Sequence, residues 1–129
     1  TTLFRSLVNC YASEINQVFL NILSNAIYAL NEAWGKGQKF EGDPVITIST
    51  ETSDRPSAII RIADNGMGMS EKVREKIFDP FFTTKPVGAG TGLGLSIAHS
   101  IIVEKHGGNL SCNSTPGNGA EFAIEIPIN

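Results

Sequence analysis

Val45-Ile46-Thr47-Ile48-Ser49-Thr50-Glu51 is followed, after a short break, by Ser57-Ala58-Ile59-Ile60-Arg61-Ile62-Ala63-Asp64. The first run alternates Val45, Thr47 and Ser49 with Ile46 and Ile48 and is rich in β-branched residues, so it reads as a strand. The second is equally strand-like. Asp54-Arg55-Pro56 between them is a turn signal, and the pair reads as a hairpin. A second pair lies at the other end of the chain. Asn109 to Ser114 and Ala120 to Ile126 flank Thr115-Pro116-Gly117-Asn118-Gly119, a strong turn sequence.

Helical signals fill the rest. From Ser13 to about Ala33, the residues Ile15, Val18, Phe19, Ile22, Leu23, Ala26, Ile27 and Leu30 recur with the period of one apolar helix face, with Ser13 as N-cap and Glu14 in the first turn. Gly35 to Pro44 is polar and glycine-rich and reads as a loop. Ser70 caps a short charged helix from Glu71 to Ile77, and a second apolar helix runs from about Leu93 to Lys105, ended by His106-Gly107-Gly108. Phe78 to Gly92 lacks periodicity and reads as a long loop, its ends tethered to the core by Phe78, Phe81 and Phe82. The order helix, strand, strand, short helix, loop, helix, strand, strand predicts an α/β sandwich: a two-layer α+β fold whose mixed, mostly antiparallel sheet is covered on one face by helices.

The chain has 129 residues, which suits one domain able to bury its own core. A net charge of −3 with scattered basic residues excludes a nucleic-acid footprint. No apolar run reaches bilayer-spanning length and no basic-then-apolar leader opens the chain, so no direct membrane contact is expected. Cys10 and Cys112 lack metal-ligand spacing and are expected as small reduced core residues, which fits a cytoplasmic setting.

Three clusters can carry chemistry. Asn21 and Asn25 stand four residues apart at the edge of the apolar stripe, where their amides can point into a cleft; an amide oxygen suits hard Mg²⁺. Asp64-Asn65-Gly66-Met67-Gly68 ends a strand, placing a carboxylate where it can accept from an exocyclic amine such as that of adenine, while Gly66 and Gly68 let backbone approach a flat ring. Gly88-Ala89-Gly90-Thr91-Gly92-Leu93-Gly94-Leu95 runs into a helix, whose N-terminal amides favour phosphate. It matches neither the dinucleotide fingerprint nor the P-loop, which argues against both of those folds. Lys85, just before the glycines, can close on a terminal phosphate as a point charge.

Together these residues resemble the catalytic ATP-binding domain of sensor histidine kinases, within the gyrase, heat-shock chaperone, histidine kinase and mismatch-repair ATPase group. Asn21-Ile22-Leu23-Ser24-Asn25-Ala26 resembles the N box, Asp64 to Met69 the G1 box, Phe78 to Lys85 the F box, and Gly90 to Leu95 the G2 box. The resemblance spans about residues 8 to 127 and implies a Bergerat-type ATP-binding fold. It further implies that Asn25 holds Mg²⁺, Asn21 assists at the phosphates, and Asp64 receives the adenine amine. Gly66 and Gly68 would admit the base, Gly90, Thr91, Gly92, Leu93 and Gly94 would cradle phosphate, and residues 79–92 would form an ATP lid. Asn21 and Lys85 are the residues closest to a catalytic role. Residues 1–129 are then one domain of a longer kinase, expected as a monomer when isolated. It would pass the γ-phosphoryl group to a histidine on a separate dimerisation domain, with a response regulator downstream.

Two positions depart from the family pattern. Tyr28 stands where many members carry a basic residue, which shifts weight onto Lys85. Asn21 stands where hydrolytic relatives carry a glutamate base, and an amide takes no proton from water at neutral pH. His99 and His106 lack the acidic surroundings of a phosphoacceptor. Two rival readings follow from the same residues: a hydrolytic ATPase of the superfamily, and a non-enzymatic regulatory nucleotide-binding module.

Overall fold

A computed structural model describes residues 10–35, 40–54, 56–85 and 92–128. Helix α1 spans Ala12–Trp34, β1 Ile46–Thr52, β2 Ser57–Asp64, α2 Glu71–Arg74 and α3 Gly94–Ser100; a π-helical turn, Ile101–Lys105, prolongs α3, and β3 Asn109–Ser114 and β4 Ala120–Pro127 complete the order. The strands form one sheet in the order β1-β2-β4-β3, and the three pairings are all antiparallel. The expected mixed component is therefore not found among the described residues. Both short-linked strand pairs are true hairpins, and β2 and β4 meet in the centre of the sheet, where Ile62 lies opposite both Ile48 and Phe122.

Strand alternation sorts the two faces. Ile62, Phe122, Ile124, Leu110 and Cys112 turn toward the helices and are buried. Glu51, Arg61 and Glu121 occupy the open face, where the Arg61 guanidinium bonds Glu51 at 2.7 Å and Glu121 at 3.2 Å across three strands. The helical layer is α1, α3 and the π turn. Val18 and Ile22 of α1 are fully buried against Ile102 and Ile124, the centre of the core. Among the described residues, no helix is long and apolar enough to cross a membrane.

Several local expectations need correction. Helix α1 begins one residue before Ser13, its N-cap is Tyr11, and no side chain caps it. Instead the Tyr11 amide donates to His106 Nε2 at 3.0 Å, a tie across 95 residues. Ile27, placed by periodicity on the apolar face, is 52% exposed, because the buried stripe Ile15, Val18, Ile22, Ala26, Ala33 follows a narrower line. Cys112 is buried, but Cys10 is exposed ahead of α1. Phe78 and Phe82 pack on the core, whereas Phe81 is 72% exposed and holds the loop through its backbone instead. Ser70 caps α2 as expected, its hydroxyl accepting the Val73 amide at 3.2 Å. Regular α-helix ends at Arg74 rather than Ile77, the remaining residues forming turns.

Candidate functional site

A cleft of about 440 Å³ opens between α1, the segment after β2, and the start of α3. Asn21, Asn25 and Tyr28 line it from α1, spaced so that they share one side of the helix. Gly68 and Met69 line it from the second wall, Phe82 to Lys85 from the third, and Gly92, Gly94 and Leu95 close it. The cleft thus gathers residues from all three sequence clusters and from the segment that carries Lys85.

The two asparagines are not equivalent. Asn21 Nδ2 donates to the Gly94 carbonyl at 2.8 Å, and its Oδ1 accepts from Gln17 Nε2 at 2.9 Å. Both ends of that amide are engaged, and it ties α1 to the first residue of α3. Asn25 makes no side-chain hydrogen bond with a described residue and faces the cleft. Among the described residues, no group of three or more His, Cys, Asp or Glu could hold a metal ion. The free Asn25 amide fits Mg²⁺ of the kind that takes few protein ligands and completes its shell with phosphate and water.

Asp64 ends β2 and is almost fully buried. Its Oδ1 accepts the Gly66 amide at 2.9 Å. Burial pushes its carboxyl above the ordinary carboxylate range, and hydrogen bonds from the backbone of Gly66 and Ala120 oppose that shift. Gly66 lies so close to α1 that a Cβ would stand 3.0 Å from the Ala29 carbonyl oxygen. Neither Asp64 nor Gly66 lines the cleft directly. The next glycine, Gly68, has φ +69°, and a Cβ there would meet the Thr115 carbonyl oxygen at 2.1 Å. This loop is stitched to the β3–β4 turn: Met69 N–H donates to Ser114 Oγ at 3.0 Å, and Gly117 N–H to the Met67 carbonyl at 2.6 Å.

Gly92 and Gly94 line the cleft, Leu93 does not, and Gly90 and Thr91 lie outside the described residues. Lys85 reaches in from the loop, with its Nζ 4.8 Å from the centroid of the Tyr28 ring. Sequence reasoning missed several contributors. Ser24, Met67, Met69, Val73, Thr83 and Thr84 all line the cleft; the three-residue helical spacing from Asn21 is the signal that could have found Ser24. Asn65, quoted only as part of a motif, is a bracket: its side chain accepts from Val45 N at 2.7 Å and donates to the Asp43 carbonyl at 2.9 Å, locking the approach to β1. Neither histidine lines the cleft. His99 packs at a tilt against Phe78, and His106 joins Tyr11 to the π turn. A separate groove of about 390 Å³ beside the end of α1, lined by Ile27, Leu30, Trp34, Pro44 and Ile46 with Asn31 and Gly35, has no ionisable group.

Known proteins resemble this chain in sequence and in fold. The signal transduction histidine-protein kinase AtoS of Escherichia coli (strain K12) is 42% identical over 122 residues, which are 95% of this chain and 18% of that protein. The sensor protein TdiS of Thauera aromatica is 39% identical over 116 residues, 89% of this chain and 20% of that protein. The chain thus spans about a fifth of the length of these relatives. Among solved structures, the nucleotide-free catalytic domain of histidine kinase ThkA superposes with a TM-score of 0.74 at 36% identity, over 94% of this chain and 71% of that one. Full-length ShkA in complex with AMPPNP gives 0.75 at 26% identity, over 97% of this chain and 24% of that one. Residues 10–129 match the family model described as histidine kinase-, DNA gyrase B-, and HSP90-like ATPase, and the chain belongs to that family.

Proposed function

We propose that this chain is the catalytic module of a sensor histidine kinase, binding Mg·ATP in the α1 cleft and presenting the γ-phosphoryl group to a histidine on a separate domain. The observation that carries the reading is the lining of the cleft: an apolar wall that includes Met67, Met69, Val73, Phe82 and Leu95 beside amides, hydroxyls, glycine backbone and one lysine, with no carboxylate and no imidazole among the described residues. Such a lining binds and neutralises phosphate but holds no base to activate water and no histidine to accept phosphate. The acceptor then has to come from outside. The naming of the curated relatives as histidine kinases and sensors, and the AMPPNP complex of ShkA, support the same reading.

Each residue's role follows from its setting. Asn25, with an uncommitted amide, offers its oxygen to Mg²⁺, which when bound would offset phosphate charge. Asn21 acts through Gly94, fixing where the glycine-rich backbone meets the phosphates. Asp64, buried behind the cleft lining and oriented by the Gly66 amide, would accept the adenine amine once the base enters between α1 and the loop after β2. Gly66 and Gly68 let the loop after β2 pack against α1 and the β3–β4 turn, which sets the wall beside the base, and the Gly90–Gly94 backbone offers amides to phosphate. Residues 79–92 act as a lid, with Lys85 supplying charge at the terminal phosphate. The parent protein's dimerisation domain and response regulator are the partners, and this module is cytoplasmic whether or not the parent kinase is anchored in a membrane.

The test mixes the purified chain with γ-labelled ATP, Mg²⁺ and a dimerisation-helix fragment carrying its histidine. Label on that histidine is expected. Steady phosphate release without transfer would favour a hydrolytic ATPase, and binding with neither would favour a regulatory module.

A further inference from the structure

We propose that Tyr28 is a positioning residue for Lys85: its ring holds the lysine ammonium inside the cleft without neutralising it, so that the charge stands ready for the terminal phosphate. The inference rests on the nucleotide reading above. Asn21, Asn25 and Tyr28 follow one another at intervals of four and three along α1, and all three line the cleft. Lys85 comes from the opposite wall, and its Nζ lies 4.8 Å from the Tyr28 ring centroid, inside the range of about 6 Å where a ring face attracts a cation. The turn that presents it is set locally, the Lys85 amide donating to Thr83 Oγ1 at 3.0 Å.

The chemistry of the partner matters. The ion pairs among the described residues belong to Arg61, Arg74 and Lys105, and none to Lys85. A carboxylate in place of the ring would take up the ammonium's N–H groups and cancel its charge. A ring face attracts the cation through its quadrupole and leaves three strong donors for oxygen ligands. Tyr28 thus limits where a long, flexible side chain can go and costs it none of its phosphate-binding capacity. Because the proposed contact is with the terminal phosphate, its signature is discrimination between ATP and ADP.

The experiment measures Kd for Mg·ATP and Mg·ADP with the wild-type chain, Tyr28→Phe, Tyr28→Leu, Lys85→Met and the Tyr28→Leu/Lys85→Met double variant. Tyr28→Gln serves as a second ring-removing variant should Tyr28→Leu fail to fold. Removing the ring is expected to weaken ATP binding by about 2- to 5-fold, the range for a partly exposed cation–π contact, with ADP binding little changed. Tyr28→Phe, which keeps the ring face, is expected to preserve the ATP-to-ADP ratio, and ring removal is expected to have no further effect once Lys85 is methionine. Equal loss of ATP and ADP affinity, or an undiminished effect in the Lys85→Met background, would overturn the proposal. Wild-type chain that binds neither nucleotide would overturn the nucleotide reading itself and this inference with it; wild-type binding with an unmoved ratio in the ring-removed variants would overturn the inference alone.

Discussion

The Phe81 amide donates to the Gly92 carbonyl at 2.8 Å, so the two ends of the loop after α2 are clasped at its base. Both residues take the left-handed conformation, Phe81 with φ +66° and Gly92 with φ +74°. A Cβ on Gly92 would lie 2.4 to 2.7 Å from the Phe81 backbone. Gly92→Ala therefore has to break the clasp or carry strain of about 1–3 kcal/mol. The expected result is weaker ATP binding with the far-ultraviolet circular dichroism of the wild type, since neither residue lies in a regular element. Unchanged affinity would show that the clasp plays no part in binding.

Asp64 gives a prediction in which stability and binding move apart. Its carboxyl sits above its ordinary value of 3.8 because burial disfavours the charge. For a carboxyl raised in the fold, the stabilising contribution is complete below the unfolded value and is lost as pH rises through the folded one. At neutral pH the ionised group is a cost to the empty chain. Asp64→Asn keeps an oxygen for the Gly66 amide and removes that cost, so its melting temperature is expected to equal or exceed that of the wild type. ATP affinity is expected to fall by about 1.5–3 kcal/mol through loss of a charge-assisted bond. Calorimetry and thermal melts on the same samples check both; an unchanged ATP affinity would remove Asp64 from the adenine site.

Two glycines separate backbone conformation from crowding. Gly107 has φ +64° and open space where a Cβ would go, while Gly68, with φ +69°, has the Thr115 carbonyl oxygen 2.1 Å away. Gly107→Ala is expected to cost about 1–2 kcal/mol, the left-handed penalty alone. Gly68→Ala adds a backbone clash and is expected to cost more, read as a lower denaturation midpoint. Equal losses would mean that the loop after β2 can move off the β3–β4 turn.

The cysteines are expected to differ in reactivity. Burial pushes the Cys112 thiol up to about 12, whereas Cys10 is exposed. Because the thiolate is the nucleophile, iodoacetamide at mildly alkaline pH should modify Cys10 alone in the folded chain. Cys112 should become reactive only in denaturant, and rapid double labelling of native protein would contradict the packing around β3.

The legible parts of the structure are those set by neighbours in sequence. The strand-like run Ser57–Asp64 located β2 residue for residue, and Ser70 marked its helix start because its hydroxyl reaches an amide three residues on. Contacts between distant segments left no periodic trace. Tyr11 rather than Ser13 is the N-cap of α1, and its amide is taken by an imidazole 95 residues away. Ile27 has the right spacing for the core yet stands outside the stripe that the sheet covers. In the site, helical spacing brought Asn21, Asn25 and Tyr28 to one wall, but it could not show that Asn21 is spent on Gly94 while Asn25 is free. Nor could composition show that Asp64 lies beside Gly66, off the cleft lining.

One purine nucleotide and its magnesium are proposed to lie between α1 and the glycine segment. Titrating the folded chain with ATP, with and without Mg²⁺, beside Asn25→Ala tests it most directly. Saturable one-to-one binding is expected, strengthened by Mg²⁺ in the wild type and not in Asn25→Ala. Absence of heat or any shift in melting temperature with either nucleotide form, or full magnesium dependence retained in Asn25→Ala, would contradict it.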